Sequence, residues 1–533
     1  MWIKGIAALL AAVTAVLPTA GSRASAPVVI EQPPPSFTRV GTISPVTPTA
    51  RRVAWDFDGD DKAEIVFVQD NGLRVNYASG AFDRIGSLAN TPTPFTSGDV
   101  NGDGYGDLMF REYAPATQRL LPTRRTGRAT SRSVGDDRIW LVYGGPAGLH
   151  MDTAIALQPD LPGVPGRREY GDEFGSSLAV GDINKDGFDD VAIATRSAGP
   201  GSQRLGAVNV FFGSAAGVRL TGTQYFTQDN TGGNYPESDP YQGQEADYFG
   251  QSIALGDVTG DGYADLAIGV PGAENYHDGT IWANESAVLL LKGSPTGLLT
   301  TGINRITPPG LGAPGNGSLN FGEIGWKVAI ADVDGDGRAE VFTDADVFRS
   351  DNDQTGAIVV LKGRSTGIIG SDRQVIVPSN TGAAGKDLYY GNWYGVGDLT
   401  GDGRAELVIG TPLARTAITG AVGVVPATAS GYAPAGTKWY TQDSPGFGDT
   451  AELGDAFGLP VAVVDRTGDG IGDLIIGAEQ ETAVSGASER GRVAVYPGGG
   501  TAFTETESWT AWDLSAYGIG WAIGGSVSAA AYW

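Results

Sequence analysis

The sequence predicts an all-β fold, a seven-bladed β-propeller of four-stranded antiparallel blades, on three observations. A nine-residue Asp/Gly motif occurs seven times along the 533 residues. Each copy is flanked by short apolar stretches of strand type, such as Leu178-Ala179-Val180 before one and Val191-Ala192-Ile193 after it. Gly (82) and Pro (30) are frequent without a triplet period, and helical periodicity is absent beyond the first twenty residues, which fits many short strands joined by turns. Repeated four-stranded meanders bury their faces against one another and lose their edges best by closing into a ring.

The motif is clearest at residues 332–340, DVDGDGRAE. Oxygen-bearing side chains stand at its first, third, fifth and ninth positions: Asp332, Asp334, Asp336 and Glu340. Calcium takes about 6 to 8 oxygen ligands at about 2.3–2.6 Å, and a tightly curled loop turns alternate side chains inward to supply them. Glycine at the sixth position permits the positive φ that the curl needs. The other copies offer Asp56, Asp58, Asp60 and Glu64; Asp99, Asn101, Asp103 and Asp107; Asp182, Asn184, Asp186 and Asp190; Asp257, Thr259, Asp261 and Asp265; Asp398, Thr400, Asp402 and Glu406; and Asp465, Thr467, Asp469 and Asp473. Up to seven Ca2+ ions are therefore expected. The loops at 56 and 332 carry four carboxylates and should bind most tightly, the Thr-bearing loops more weakly. Asp61 replaces the sixth-position glycine of the first loop and must adopt a left-handed backbone. The closing carboxylate at nine and the flanking strands distinguish these loops from helix-flanked twelve-residue calcium hands.

Residues 1–26 read as a secretory signal peptide: Lys4, an apolar run from 5 to 17, and Ala24-Ser25-Ala26 as a cleavage pattern. That run is too short to span a bilayer, and no later apolar segment reaches spanning length. Residues 27–50, rich in Pro and Thr, are expected to form an extended strap or linker, and residues 51–533 the propeller. The expected location is therefore secreted and extracellular. The chain has no cysteine, so bound metal rather than disulfides is expected to stabilise it. Its net charge of −25 fits clustered metal ligands and argues against a nucleic-acid partner.

The loops begin 43, 83, 75, 75, 66 and 67 residues apart, irregular lengths around a constant unit. In the unit at 174–227, Phe174-Gly175 opens, 177–180 is a first strand, the acidic loop follows, 191–194 is a second strand, 206–212 a third and 223–227 a fourth. The aromatic-Gly opening returns at Phe249-Gly250, Phe321-Gly322, Tyr390-Gly391 and Phe457-Gly458. At 517–525 it returns without an acidic loop, as a strand expected to complete the first blade; an eighth, degenerate blade is the alternative. Aromatic-Gly, then the acidic loop, then LAIGVPGAE (266–274) resembles the FG-GAP repeats of integrin alpha subunits and their bacterial relatives, over about residues 50–512. The resemblance implies a propeller with calcium in its loops and an interaction role, and it does not imply catalysis.

In a meander the acidic loops and the third-to-fourth turns share one face. The long connections at 112–137, 195–205, 228–248, 271–285 and 441–456 fall on the other, where binding is expected. Arg119, Arg124, Arg125, Arg128, Arg132 and Arg138 suggest a basic patch there; a solvated insertion is the competing reading. Tyr235, Tyr241, Tyr248, Tyr276 and Trp282 suggest an aromatic one, for which packing among loops competes. The expected function is an extracellular binding or adhesion module, a monomer whose ligand is a protein or glycan, with no membrane span. The alternative is an extracellular polysaccharide-acting enzyme. With only two histidines, His150 and His277, and no cysteine, that alternative has no identifiable catalytic set.

Overall fold

Seven four-stranded antiparallel sheets follow one another along the chain. The computed structural model describes residues 35–48, 55–69, 72–86, 95–112, 117–122, 129–134, 137–166, 172–198, 205–231, 247–272, 275–277, 280–282, 286–311, 319–349, 354–383, 390–411, 419–452, 454–478, 491–500 and 502–510. The expected signal peptide and the expected closing strand at 517–525 lie outside them.

The third blade shows the unit. Phe174–Gly181, Asp190–Thr195, Ala207–Phe211 and Gln224–Phe226 pair in that order, each antiparallel to the last. The pairing register puts Gly181 opposite Asp190, so the acidic loop is the turn between the first two strands. Blades two and four to seven repeat this order, and so does the placement of the loop. The first blade differs. Its sheet runs Ser36–Val40, Phe82–Gly86, Gly72–Asn76, Ile65–Gln69, so its outermost strand comes from the N-terminal stretch read as a strap. Arg39 explains why that strand stays in place. Its guanidinium pairs with buried Asp83 at 2.6 Å and donates to the Leu149 carbonyl of the second blade.

Period-two alternation would bury one face of each sheet, but the second and third strands are apolar on both faces, as Val191–Ala194 and Leu289–Leu291 are. The reason is the ring, in which every sheet is covered by a blade on each side. The buried side chains accordingly fall into seven clusters, one for each junction between neighbouring blades. Val208 and Val210 of the third blade meet Leu266, Ile268 and Leu289 of the fourth, for example. The seventh cluster joins Ile65 and Phe67 of the first blade to Ala462, Ile475, Val493 and Val495 of the last, and this closes the ring.

Hydrogen bonds among the acidic loops follow the same circle at six junctions. The eighth residue of a loop donates its backbone N–H to the first-residue carbonyl of the loop before it: Gly106 to Asp56, Asp189 to Asp99, Ala264 to Asp182, Ala339 to Asp257, Gly472 to Asp398, and across the junction Ala63 to Asp465, at 2.6–3.0 Å. The third-to-fourth turns join them, with Gly145, Ser214 and Gly499 donating to the Phe57, Val100 and Leu399 carbonyls. Loops and short turns therefore share one face.

Candidate metal centres

Each acidic loop is built around the carboxylate of its first residue. In the loop at 332, Asp332 Oδ1 accepts from the Gly335 N–H and Oδ2 from the Gly337 N–H, both at 2.9 Å. The same two bonds recur around Asp56, Asp257, Asp398 and Asp465, and the one to the sixth residue around Asp99 and Asp182. The fifth-position carboxylate accepts from the seventh-residue N–H throughout, as Asp336 does from Arg338. These bonds require left-handed backbone at the fourth and sixth positions. Gly335 and Gly337 sit at φ 74° and 80°, and the non-glycine occupants Lys185 and Asp61 at 58° and 64°. The need at the sixth position was legible in the sequence; the equal need at the fourth was not.

The ninth carboxylate is the most deeply buried ligand candidate, at 0–4 % exposure in every loop. One oxygen accepts the second-residue N–H, from Glu64 with Phe57 at 2.7 Å to Asp473 with Arg466 at 2.7 Å. In six loops the other oxygen accepts an N–H of the third-to-fourth turn: Gly144 with Asp107, Gly213 with Asp190, Gly293 with Asp265, Gly363 with Glu340, Ala427 with Glu406 and Gly498 with Asp473. Close approach explains the glycine there, since a Cβ on Gly213 would lie 2.4 Å from the Asp189 carbonyl oxygen. The ninth residue thus ties the acidic loop to the neighbouring turn as well as offering a ligand.

Among the described residues, three acidic side chains converge in two places, Asp56 with Asp58 and Glu64, and Asp332 with Asp334 and Asp336. These are the two loops whose third residue is Asp. Elsewhere Asn101 and Asn184 donate to Asp103 and Asp186 at 2.9 and 3.0 Å, and the backbone N–H groups of Thr259, Thr400 and Thr467 hold loop carboxylates. Burial, then mutual repulsion, pushes the converging carboxyls up: Asp56 to about 6, Asp58 to about 7, and Glu64 well above the ordinary glutamate value. Burial likewise raises Asp190 and Glu340 to about 8, and Asp265 and Glu406 to about 7. Glu64 Oε1, Asp334 Oδ1 and Thr259 Oγ1 are buried without a hydrogen-bond partner. Hard oxygen donors, crowded negative charge and orphaned acceptors fit a divalent cation.

Two basic residues at these loops escape a motif search. Lys362, at the end of a third strand, places Nζ 2.6 Å from Asp334 Oδ2. Arg466 fills the second position of the last loop, where the others carry Phe57, Val100, Ile183, Val258, Val333 and Leu399. That departure is the signal a comparison of the repeats offers.

On the opposite face, the insertion after residue 112 holds a two-stranded hairpin, Thr117–Pro122 with Ala129–Val134, and that after 271 a smaller one, Asn275–His277 with Thr280–Trp282. Arg124, Arg125, Arg128, Tyr235 and Tyr241 lie outside the described residues. Arg138 does not join a surface basic patch: it is buried, 3.3 Å from Glu112 and against Trp140. Tyr248 is half-buried with its ring 6.1 Å from that of Trp326, and the Arg196 guanidinium lies 5.8 Å from its centroid. Trp326 is 40 % exposed, and Glu323 accepts its indole N–H.

The family model for the FG-GAP repeat matches residues 174–211 and 249–283. Similar proteins include integrin alpha-PS5 of Drosophila melanogaster, 43% identical over 106 residues, which are 20% of this chain and 9% of that protein. Phosphatidylinositol-glycan-specific phospholipase D of Bos taurus is 33% identical over 33% of this chain and 18% of its own length. Integrin alpha-5 of Xenopus laevis is 34% identical over 33% of this chain and 14% of its own length. The chain thus spans less than one-fifth of each of these relatives. It carries FG-GAP repeats on a seven-bladed propeller, as integrin alpha N-terminal domains do. Among the described residues no helix is long and apolar enough to cross a membrane.

Proposed function

We propose that this protein is a secreted, calcium-stabilised propeller that binds an extracellular protein or glycan through the face opposite its acidic loops. The observation that carries the reading is the division of labour between faces. On one, side chains and backbone are committed to loop-to-loop bonds at six blade junctions. On the other, Trp326 is exposed beside Tyr248 and Arg196, among the long connections. Exposed aromatic rings with charged neighbours suit stacking on sugars or anchoring a protein surface. The similarity to integrin alpha chains supports an extracellular binding module.

In the cation part of the reading, Asp332, Asp334 and Asp336 with Glu340, and their counterparts in the other loops, hold the ions. A bound Ca2+ supplies positive charge that cancels the mutual repulsion of these carboxylates and locks each loop in its curl. The residues themselves preorganise the site through the N–H groups that orient the first and fifth carboxylates.

Retention of the intact protein on immobilised neutral and anionic polysaccharides, with the eluate assayed for released sugars, tests the ligand part. Retention that Trp326→Ala abolishes is the expected result. Released products would replace the binding reading with the second one, a polysaccharide-acting enzyme; the similarity to the phospholipase D chains leaves room for an enzyme without pointing to that substrate. Absence of retention on every polymer turns the search to protein ligands. For the cation part, Asp336→Ala should lower the melting temperature in calcium buffer, and Asp332→Ala with Asp336→Ala should lower it more than the corresponding pair in the loop at 465. An unchanged melting temperature rules out a working site at 332.

A further inference from the structure

A ring of repeats brings its last blade against its first, and the residues that meet there lie farthest apart in the sequence. Here that junction departs from the other six in three linked ways. First, the ninth carboxylate of the first loop lacks the turn N–H that caps its six counterparts. The third-to-fourth turn of the first blade is a tight reversal in which Tyr77 donates to the Ala81 carbonyl, and it sends no N–H toward Glu64. Glu64 Oε1 is left buried with no hydrogen-bond partner, in a side chain with no exposure, while its carboxylate converges with Asp56 and Asp58.

Second, Arg466 of the seventh blade reaches over the junction from a position that is apolar in every other loop. Its Nη1 donates to the Ala63 and Asn76 carbonyls of the first blade at 3.0 and 3.1 Å, and its Nε and Nη2 hold Glu507 of its own blade. The guanidinium comes only to 3.9 Å from Glu64 Oε1, so it offsets that charge without capping the oxygen. Third, Glu64, Ile65, Ala462, Val464 and Ile475 line a cavity of about 20 Å3 at this junction, where the apolar cluster is the smallest of the seven among the described residues. Such a gap weakens dispersion contact.

We propose that the first loop holds a ring-closing divalent cation. Asp56, Asp58 and Glu64 bind it, and Arg466 is the positioning residue that ties their loop to the last blade. A cation on Glu64 would occupy the acceptor that the missing turn N–H leaves open. It would hold the loop whose Ala63 N–H and carbonyl bond across the junction to Asp465 and Arg466. The other loops bond between blades that follow one another in the chain; this one bonds between the last blade and the first. The proposal rests on the reading of the acidic loops as cation sites.

Hydrogen exchange on the full chain, in calcium chloride and after EGTA, tests it. Removing calcium should speed exchange in Ile65–Gln69 and Arg492–Tyr496 by about tenfold or more, and in Asp265–Val270 and Ala287–Leu291 by less. Glu64→Gln in calcium should reproduce the loosened junction, and Glu340→Gln should leave it intact. Arg466→Leu, which restores the residue type of the other loops, should loosen the junction in calcium as well; Glu64→Gln decides the matter if that variant does not fold. A melting temperature that falls with EGTA while the junction strands exchange unchanged overturns the ring-closing role and keeps the cation sites. So does a Glu340→Gln variant that loosens the junction as much as Glu64→Gln. No response to EGTA in melting temperature or exchange overturns both.

Discussion

The junction between the third and fourth blades and the junction between the seventh and first use the same strands of the repeat but different forces. At the former, Val208, Val210, Phe226, Leu266, Ile268 and Leu289 interlock with little exposure, and Ser177 Oγ accepts the Ile253 N–H between the inner strands. Burial of apolar area, at about 25 cal/mol per Å2, is enough to hold such a surface. At the latter, a shorter apolar set is supplemented by Arg466, by the Phe67–Trp509 ring contact and by a cluster of carboxylates. The difference teaches that charge can help to close a ring of repeats where the apolar contact among the described residues is smallest. It also means that the two junctions answer differently to truncation, pH and counter-ions.

Truncating apolar residues is the most direct way to break the comparison. Leu266→Ala, in the well-packed junction, should cost about 3–5 kcal/mol because its surroundings cannot collapse. Ile475→Ala, beside the existing cavity, should cost nearer to about 2 kcal/mol. Chemical denaturation in calcium measures both, and equal losses would show that the closing junction relies on apolar packing as much as the other.

Acidity sharpens the comparison next. Asp58 and Asp56, raised to about 7 and about 6, hold protons in the folded chain that they release in the unfolded one at their ordinary value of 3.8. Their contribution to stability is complete below pH 4 and is lost as pH rises through 6 and 7, with Glu64 extending the window upward. The melting temperature of chelated protein should therefore fall between pH 5.5 and 8, and excess calcium should flatten that slope. Parallel slopes with and without calcium would separate these carboxyls from the cation.

The two acidic triads themselves provide a smaller contrast. Lys362 lies against Asp334 at the surface, whereas Arg466 is fixed within the closing junction. Lys362→Met should raise terbium affinity at the loop at 332 by about threefold to tenfold, as an attached cation at about 4 Å no longer competes. Unchanged binding would mean that the ammonium swings aside without cost. The least effect belongs to Asp61→Gly, whose φ of 64° suits glycine. Relief of strain and added unfolded-state freedom nearly cancel, which leaves stability within about 0.5 kcal/mol on thermal melting.

Much of this was legible beforehand because the loop chemistry is local. Oxygen at alternate positions and a positive φ at the sixth residue are demands made by nine consecutive residues, and Asp61 meets the predicted left-handed φ. The buried strands beside the loops followed from their apolar composition. What escaped was every feature made by residues distant in the chain. Arg138, counted with exposed arginines, is buried because its strand pairs beside Glu112. Trp326 met Tyr248 only because the openings of neighbouring blades lie side by side.

By itself, the sequence determined that this chain would repeat a four-stranded unit seven times and curl seven acidic turns toward one face, since period, turn chemistry and apolar runs act within one unit. The tertiary structure alone decided how the ends meet. Ser36–Val40 becoming the outer strand of the first blade, Arg466 reaching Asn76, and Glu64 left with an uncapped oxygen all depend on residues up to four hundred positions apart. Their partners are set by the geometry of closure, which no local pattern encodes.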